Sequence, residues 1–216
     1  CMMGIGLING SLSKVLREAG MAGEIVACAR REETRARAVE LGLCDTALAD
    51  PAEAVRGADL VVLGTPPGAM GPVAEAMAPG LDPSAIVTDV GSLKAQIVRD
   101  VTPHLPDPSR FVPGHPVAGT EHSGPDAAFA TLFRNRRCIL TPTEVTDEDA
   151  VLRMREMWEM AGSSVDVMSP EHHDKILAIT SHLPHLIAYT IVGTVADLEE
   201  QEQTEVFKYA AGGFTD

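Results

Sequence analysis

Aromatic residues are scarce in this sequence, and basic residues are far fewer than acidic ones. Phe, Trp and Tyr make up 4% of the 216 residues, so Ala, Val, Leu, Ile and Met must fill the core. The sequence has 17 Lys and Arg residues against 31 Asp and Glu residues, a net charge of −14. A general nucleic-acid binder carries the opposite sign, so we expect no nucleic-acid partner. An anionic ligand would need a locally basic site.

Cysteine is also infrequent, and its spacing does not indicate a metal site. The four residues are Cys1, Cys28, Cys44 and Cys138, with no CxxC or zinc-finger spacing. This pattern favours four reduced, mostly buried thiols. No signal peptide opens the sequence, so we expect a cytoplasmic protein. We also expect no bound metal, since the cysteines lack metal-site spacing.

Uninterrupted apolar runs of membrane-spanning length are missing. The most apolar long stretch, 177–196, is broken by Ser181, His182, Pro184 and His185. Polar and ionisable groups are costly inside a bilayer. We therefore predict a buried helix for this stretch and no membrane partner.

Strand-like and helix-like stretches alternate through residues 1–168. Mostly apolar runs at 24–29, 59–64 and 85–90 are typical of parallel strands covered on both faces, and weaker strand signals follow at 111–112, 138–140 and 165–167. Helices are predicted at 11–19, 32–41, 51–56, 70–78, 93–100 and 147–160. The alternation predicts a doubly wound α/β sheet. Helices at about 171–196 and 197–211 predict a second, helical domain at 169–216.

A glycine-rich turn precedes the first helix. Gly4-x-Gly6-x-x-Asn9 is an imperfect G-x-G-x-x-G, in which Asn9 replaces the third glycine. Such a turn brings backbone close to a pyrophosphate at a helix N-terminus. We expect Gly4, Gly6, Leu7, Ile8 and Asn9 to contact a dinucleotide; an ordinary strand–helix turn is the alternative.

The end of the second predicted strand indicates which dinucleotide is bound. An NAD enzyme usually has Asp or Glu here to bind the ribose hydroxyls, whereas this sequence has Ala29, Arg30 and Arg31. Without the carboxylate, a 2′-phosphate is not repelled, and an arginine can pair with it. NADP is therefore favoured over NAD. The alternative is that both arginines are solvated charges at the start of a helix.

Four segments together resemble one family. They are GIGLINGSL at 4–12, TDVGSLK at 88–94, GHPVAGTE at 114–121 and SHLPH at 181–185. In this order and spacing they are similar to the prephenate and arogenate dehydrogenases. The resemblance implies a Rossmann-type domain followed by a helical dimerisation domain that the sequence contains only in part, and hence a homodimer. It also implies oxidative decarboxylation of prephenate or arogenate in tyrosine biosynthesis, with hydride transfer to NADP or NAD.

The resemblance assigns the chemical roles in the first domain. His115 is the expected base for the substrate's ring hydroxyl, since a neutral imidazole suits that task near pH 7. Ser92 is expected to hydrogen-bond His115 near the nicotinamide, and it is also predicted to be the N-cap of the helix at 93–100. Thr65 and Pro66 are expected to line the cofactor, with an ordinary turn as the alternative. For Lys94 the sequence favours a solvated charge.

Substrate contacts are implied for a second set of residues. His185 is expected to reach the substrate and His182 to support the pocket, while Glu121 either orients the pocket or is a surface carboxylate. His173 is assigned no definite role. The family's substrate-carboxylate arginine follows a G-F-x-D segment, which here is 213–216, so that arginine is expected beyond the sequence.

Two other functions remain open from the sequence. Another Rossmann reductase, of the β-hydroxyacid dehydrogenase or pyrroline-carboxylate reductase type, would share the turn and the strand pattern. A non-catalytic dinucleotide-binding module would share them too. Neither explains the combination of the segments around His115 and Ser181 to His185.

Overall fold

The computed structural model describes residues 1–202, with side chains through Leu198. The chain divides into two compact units, Cys1–His173 and Asp174–Asp216. The strands are β1 Met2–Met3, β2 Val26–Cys28, β3 Thr46–Leu48, β4 Leu60–Leu63, β5 Ile86–Asp89, β6 Phe111–Val112, β7 Gly114–Pro116, β8 Arg137–Leu140 and β9 Ser164–Val167. The helices are α1 Leu7–Glu18, α2 Glu32–Glu40, α3 Pro51–Ala54, α4 Pro67–Met77, α5 Ala95–Val101, α6 Glu148–Met160, α7 Pro170–Leu177 and α8 Leu183–Glu202.

Six strands form one parallel sheet in the order β3-β2-β1-β4-β5-β6. This order is that of a dinucleotide-binding doubly wound fold, whose strand order reverses beside β1. The predicted fold class is confirmed. The carboxyl ends of all six strands meet at one edge, where such sheets bind ligands.

Apolar side chains of the sheet alternate between two cores. Met2 and Val62 pack in one cluster with Trp158 of α6, whereas Met3 and Val61 pack in the other with Met70 of α4. Successive strand residues point to opposite faces, so helices must cover both. Because the two cores bury both faces, the strands read as nearly continuous apolar runs in the sequence.

A second, three-stranded sheet has the order β7-β8-β9. Strand β7 runs antiparallel to β8 and places His115 opposite Ile139, and β8 and β9 are parallel. The strand signals at 138–140 and 165–167 are therefore real, but they do not extend the doubly wound sheet. His115 lies within a short strand, because the chain leaves β6 at Pro113 and pairs at once with β8.

The helix at 93–100 begins later than predicted. It starts at Ala95 with Lys94 at its N-cap position, and Ser92 is exposed and caps no helix. The prediction of a Ser92 cap is wrong because the N-cap residue is Lys94; before it, the side chain of Asp89 accepts a hydrogen bond from Gly91 N–H at 2.7 Å. The four cysteines are free thiols, and Cys28, Cys44 and Cys138 are buried, as predicted.

The second unit contains the last residues of α7, a π-helical turn at Ala178–His182 and α8. The predicted break at 196–197 is wrong, since α8 continues to Glu202; the real irregularity lies just before Pro184, where a proline disturbs the helical ladder. The buried helix predicted at 177–196 is exposed in this single chain, and Pro170–Leu198 is long and apolar enough to cross a membrane, with a mean hydropathy of 1.4. The remainder of the helix predicted to reach 211, and the 213–216 segment, lie outside the described residues.

Candidate active site

The carboxyl edge of the six-stranded sheet borders a cavity of about 700 Å³. Its lining includes these residues proposed from the sequence to contact a dinucleotide: Gly4, Gly6, Ala29, Arg30, Arg31, Thr65 and Pro66. Leu7, Ile8, Asn9 and Ser92, also proposed, do not line it. The cavity lies where β1, β2 and β4 end, the position at which this strand order binds nucleotides.

The glycines of the first turn suit close approach of a ligand. Gly4 has φ +87°, and a Cβ there would lie 3.0 Å from Gly64 O. Gly6 is the N-cap of α1, and a Cβ there would meet nothing within 4 Å. The helix N-terminus therefore opens towards the cavity with its unpaired N–H groups, which is the arrangement that binds a pyrophosphate. These residues fit a dinucleotide.

Asn9 has a structural position that the sequence did not indicate. Its side chain is buried, and its Nδ2 donates to Gly4 O at 2.8 Å and to Val62 O at 3.1 Å. Asn9 therefore ties the glycine turn to β4. Close packing of the helix, usually the task of the third glycine, falls to Gly10, where a Cβ would lie 2.8 Å from the Cβ of Ala128.

The end of β2 is basic. Arg30 and Arg31 are exposed and line the cavity, and Arg31 is the N-cap residue of α2. Arg35 Nη1 donates to the carbonyls of Ala29 and Arg30, at 2.8 Å each, and so fixes this turn. Among the described residues, no Asp or Glu lines the cavity.

His115 is nearly buried, with 9% of its surface exposed, and it contacts a second histidine. Its Nδ1 lies 2.8 Å from Nε2 of His173, and the ring centroids are 5.0 Å apart at 67°. His173 is fully buried on α7. The sequence left its role open, because 58 positions separate it from His115 and no pattern predicts their contact.

Lys94 is the clearest error of the sequence prediction for the site. It is fully buried, not solvated, and its Nζ forms an ion pair with the buried Asp89 carboxylate. Complete burial raises the pKa of Asp89, while Lys94 and the amides of Gly91 and Gly114 act to lower it. The sequence does contain a signal for this ion pair, because Asp89 and Lys94 lie five positions apart in the TDVGSLK segment.

Ser92 and Glu121 are both exposed in this chain. Within residues 1–202 the Ser92 side chain makes no hydrogen bond, so its expected bond to His115 is not formed. Glu121 is 81% exposed in its side chain and lies 3.2 Å from Nε2 of the equally exposed His122.

His182 and His185 belong to the second unit. His182 is half-buried at the end of the π-helical turn, and His185 is exposed on α8. Among residues 1–202, no group of three or more His, Cys, Asp or Glu side chains is placed to hold a metal ion.

Comparison with known proteins decides the family. Residues 12–167 match the model of the prephenate dehydrogenase nucleotide-binding domain, and residues 169–216 match its dimerization domain. The chain belongs to the prephenate dehydrogenase family. The resemblance drawn from the four sequence segments is therefore confirmed, together with the class of enzyme, an NAD(P)-dependent dehydrogenase.

Relatives support the same assignment. A cyclohexadienyl dehydrogenase of Zymomonas mobilis is 42% identical over all of this chain, which spans 73% of that protein. A prephenate dehydrogenase of Bacillus subtilis is 33% identical, and the chain spans 58% of its length. The crystal structure of Aquifex aeolicus prephenate dehydrogenase with hydroxyphenyl propionate and NAD⁺ superposes with a TM-score of 0.92 at 36% identity, covering 100% of this chain and 74% of that one.

Proposed function

We propose that this chain is the cofactor-binding domain and the beginning of the dimerisation domain of a dehydrogenase that oxidatively decarboxylates prephenate or arogenate in tyrosine biosynthesis. One observation carries the proposal: a nearly buried histidine, His115, pairs through Nδ1 with a second buried histidine beyond the carboxyl end of the sheet. That arrangement suits a positioned general base.

In the proposed arrangement, the proton between the two rings resides on Nδ1 of His115. When His115 Nδ1–H donates to His173 Nε2, the neutral His115 ring carries its lone pair on Nε2. Nε2 can then accept the proton of the substrate's ring hydroxyl. The resulting imidazolium remains stabilised, because Nδ1–H still donates to the neutral His173 ring. His173 thus holds the base in both protonation states.

The cofactor is held by the cavity at the carboxyl edge of the six-stranded sheet. Gly4 and Gly6 would let backbone approach the pyrophosphate at the N-terminus of α1, and Thr65 and Pro66 would line the site beside the nicotinamide. When bound, the cofactor would supply the hydride acceptor that the oxidative decarboxylation requires. Near-burial of His115 limits the access of water to the base.

The preferred cofactor is NADP. The basic residues Arg30 and Arg31 and the lack of a carboxylate among the described lining residues support this preference. A 2′-phosphate would meet two guanidinium groups, while the ribose hydroxyls of NAD would lack their usual acidic acceptor. NAD is the alternative, and titrating the protein with each cofactor distinguishes the two.

The substrate contacts, the dimer and the location complete the proposal. His182, His185 and Glu121 are assigned to the substrate side, and homodimerisation is assigned to the C-terminal helices from residue 169. A cytoplasmic enzyme fits the buried free thiols. The chain spans 73% of the length of one of these relatives and 58% of the other.

Reduction of NADP⁺ and NAD⁺, followed optically with prephenate and arogenate supplied separately to the full-length protein, tests the function. We expect cofactor reduction that depends on at least one substrate and that releases CO₂. Tight cofactor binding with no turnover of either substrate would contradict the proposal and would favour a non-catalytic dinucleotide-binding module.

A further inference from the structure

A buried ion pair contacts Gly114, the residue that precedes the proposed base His115. Asp89 ends β5, Lys94 precedes α5, and both side chains are 0% exposed. Buried ion pairs add little stability compared with apolar residues of similar size, because desolvation offsets their attraction. A role in placing a neighbouring group explains such a pair better than stability alone.

The pair binds both polar groups of one residue. Asp89 Oδ1 accepts from Gly114 N–H at 3.2 Å, and Lys94 Nζ donates to Gly114 O at 2.5 Å. A Cβ on Gly114 would lie 3.1 Å from the carbonyl oxygen of Asp89. Glycine is therefore required for the close approach, and His115 follows it directly.

We propose that Asp89 and Lys94 are positioning residues that fix the backbone of Gly114 and thereby the place of His115 relative to the cofactor. The parallel ladder between β5 and β6 ends at the pair Thr88 and Val112. Beyond it, the carboxylate and ammonium groups replace the backbone partners that the sheet no longer provides. Two residues of the TDVGSLK segment thus hold the backbone of the GHP segment in place. This inference rests on the proposed role of His115.

The test compares three variants of the full-length protein. Lys94→Met removes the donor to Gly114 O and leaves Asp89 as an unpaired buried charge. Asp89→Asn/Lys94→Met removes both charges, so it relieves that penalty but still leaves Gly114 O without its ammonium donor. Val101→Ala, at the far end of α5 and fully buried, is the control for a loss of stability without a change at Gly114.

Turnover, cofactor affinity, melting temperature and the His115 NMR signal together separate positioning from simple stability. We expect kcat to fall at least tenfold in both Lys94 variants, the Kd for the cofactor to stay within about threefold, and the double variant to recover melting temperature without recovering kcat. The His115 ring signal in NMR, assigned among the seven histidines by its loss in His115→Asn, should shift in both variants. Val101→Ala should leave kcat within about twofold and the signal unchanged.

Failure of this inference is distinguishable from failure of the proposed function. Full kcat together with an unmoved His115 signal in the folded double variant would overturn the positioning role, even with an active wild type. A wild type that turns over neither substrate, combined with a shifted His115 signal, would overturn the function and leave the positioning role supported.

Discussion

Nδ1 of His115 and Nε2 of His173 are 2.8 Å apart, although β7 and α7 carry them 58 positions apart in the sequence. The contact uses Nδ1 of His115 and leaves Nε2 for the proposed proton abstraction. His173 is fully buried and His115 nearly so, so water competes little for the hydrogen bond. The orientation of the proposed base therefore depends on the folding of α7.

Loss of the His173 acceptor should impair catalysis more than binding. We expect His173→Phe to lower kcat about tenfold or more, the effect of about 1.4 kcal/mol in the barrier, because the His115 tautomer is no longer fixed. His173→Gln keeps a carbonyl oxygen that accepts from Nδ1–H and should retain more activity than His173→Phe. Equal kcat values for the wild type and His173→Phe in steady-state assays would contradict this role.

Gly64 and Asn9 should be energetically coupled. A Cβ on Gly64 would lie 2.6 Å from Cγ of Asn9, so Gly64→Ala must displace the amide that ties the glycine turn to β4. We expect a loss of about 1–3 kcal/mol in the free energy of unfolding and weaker cofactor binding. In an Asn9→Gly background the same substitution should cost nearly nothing.

Urea unfolding of the four proteins of this cycle measures the coupling. Gly68→Ala is the matched control, because a Cβ there would meet nothing within 4 Å. An equal cost of Gly64→Ala in both backgrounds would show that the clash with Asn9 is not its cause.

Arg30 and Arg31 should decide the cofactor preference. We expect Arg30→Ala/Arg31→Ala to raise the Kd for NADP⁺ about 10- to 100-fold and that for NAD⁺ by less than about threefold, since only the former carries a 2′-phosphate. Arg56→Ala, at the amino end of the strands, should change neither. Fluorescence titration of the wild type and both variants with each cofactor measures all six constants. A tenfold or greater preference of the wild type for NAD⁺ would reject the assignment.

The exposed stripe of α8 should form the dimer contact. Leu183, Ile187 and Ile191, spaced four apart on one helical face, are about half exposed, at 47%, 51% and 47%. Ile187→Asp/Ile191→Asp should convert the full-length dimer into a monomer by light scattering. Leu152→Asp, equally exposed on α6 at 52%, should leave the mass unchanged. A dimer that survives the double substitution would place the interface elsewhere.

The doubly wound sheet was predictable because local signals report it directly. The apolar runs at β4 and β5, and the glycines that end α1 and α2 with φ +66° at Gly20 and Gly42, depend on neighbouring residues only. The strand order was not predictable, since it is set by long-range pairing. The separate β7-β8-β9 sheet was missed for the same reason, because a strand signal in the sequence does not indicate which strand it pairs with.

The site was predictable where a motif specifies backbone. Gly4, Gly6 and the basic turn at Arg30 and Arg31 line the cavity as expected. Residues whose place depends on tertiary contacts were not predictable: Lys94 reads as a surface charge until Asp89 is seen to bury it. The sequence predicts that the apolar face of α8 is buried. It does not show whether that face packs within one chain or against a second chain.

The rate of His115→Asn tests the central claim most directly. In the full-length enzyme, with saturating cofactor and the preferred substrate, the variant should turn over at least about 100-fold more slowly than the wild type, because the substitution removes the proposed general base. The Kd for NADP⁺ should not change, and His104→Asn, a substitution of a partly buried histidine after α5, should be fully active. A near-wild-type rate for His115→Asn would contradict the account.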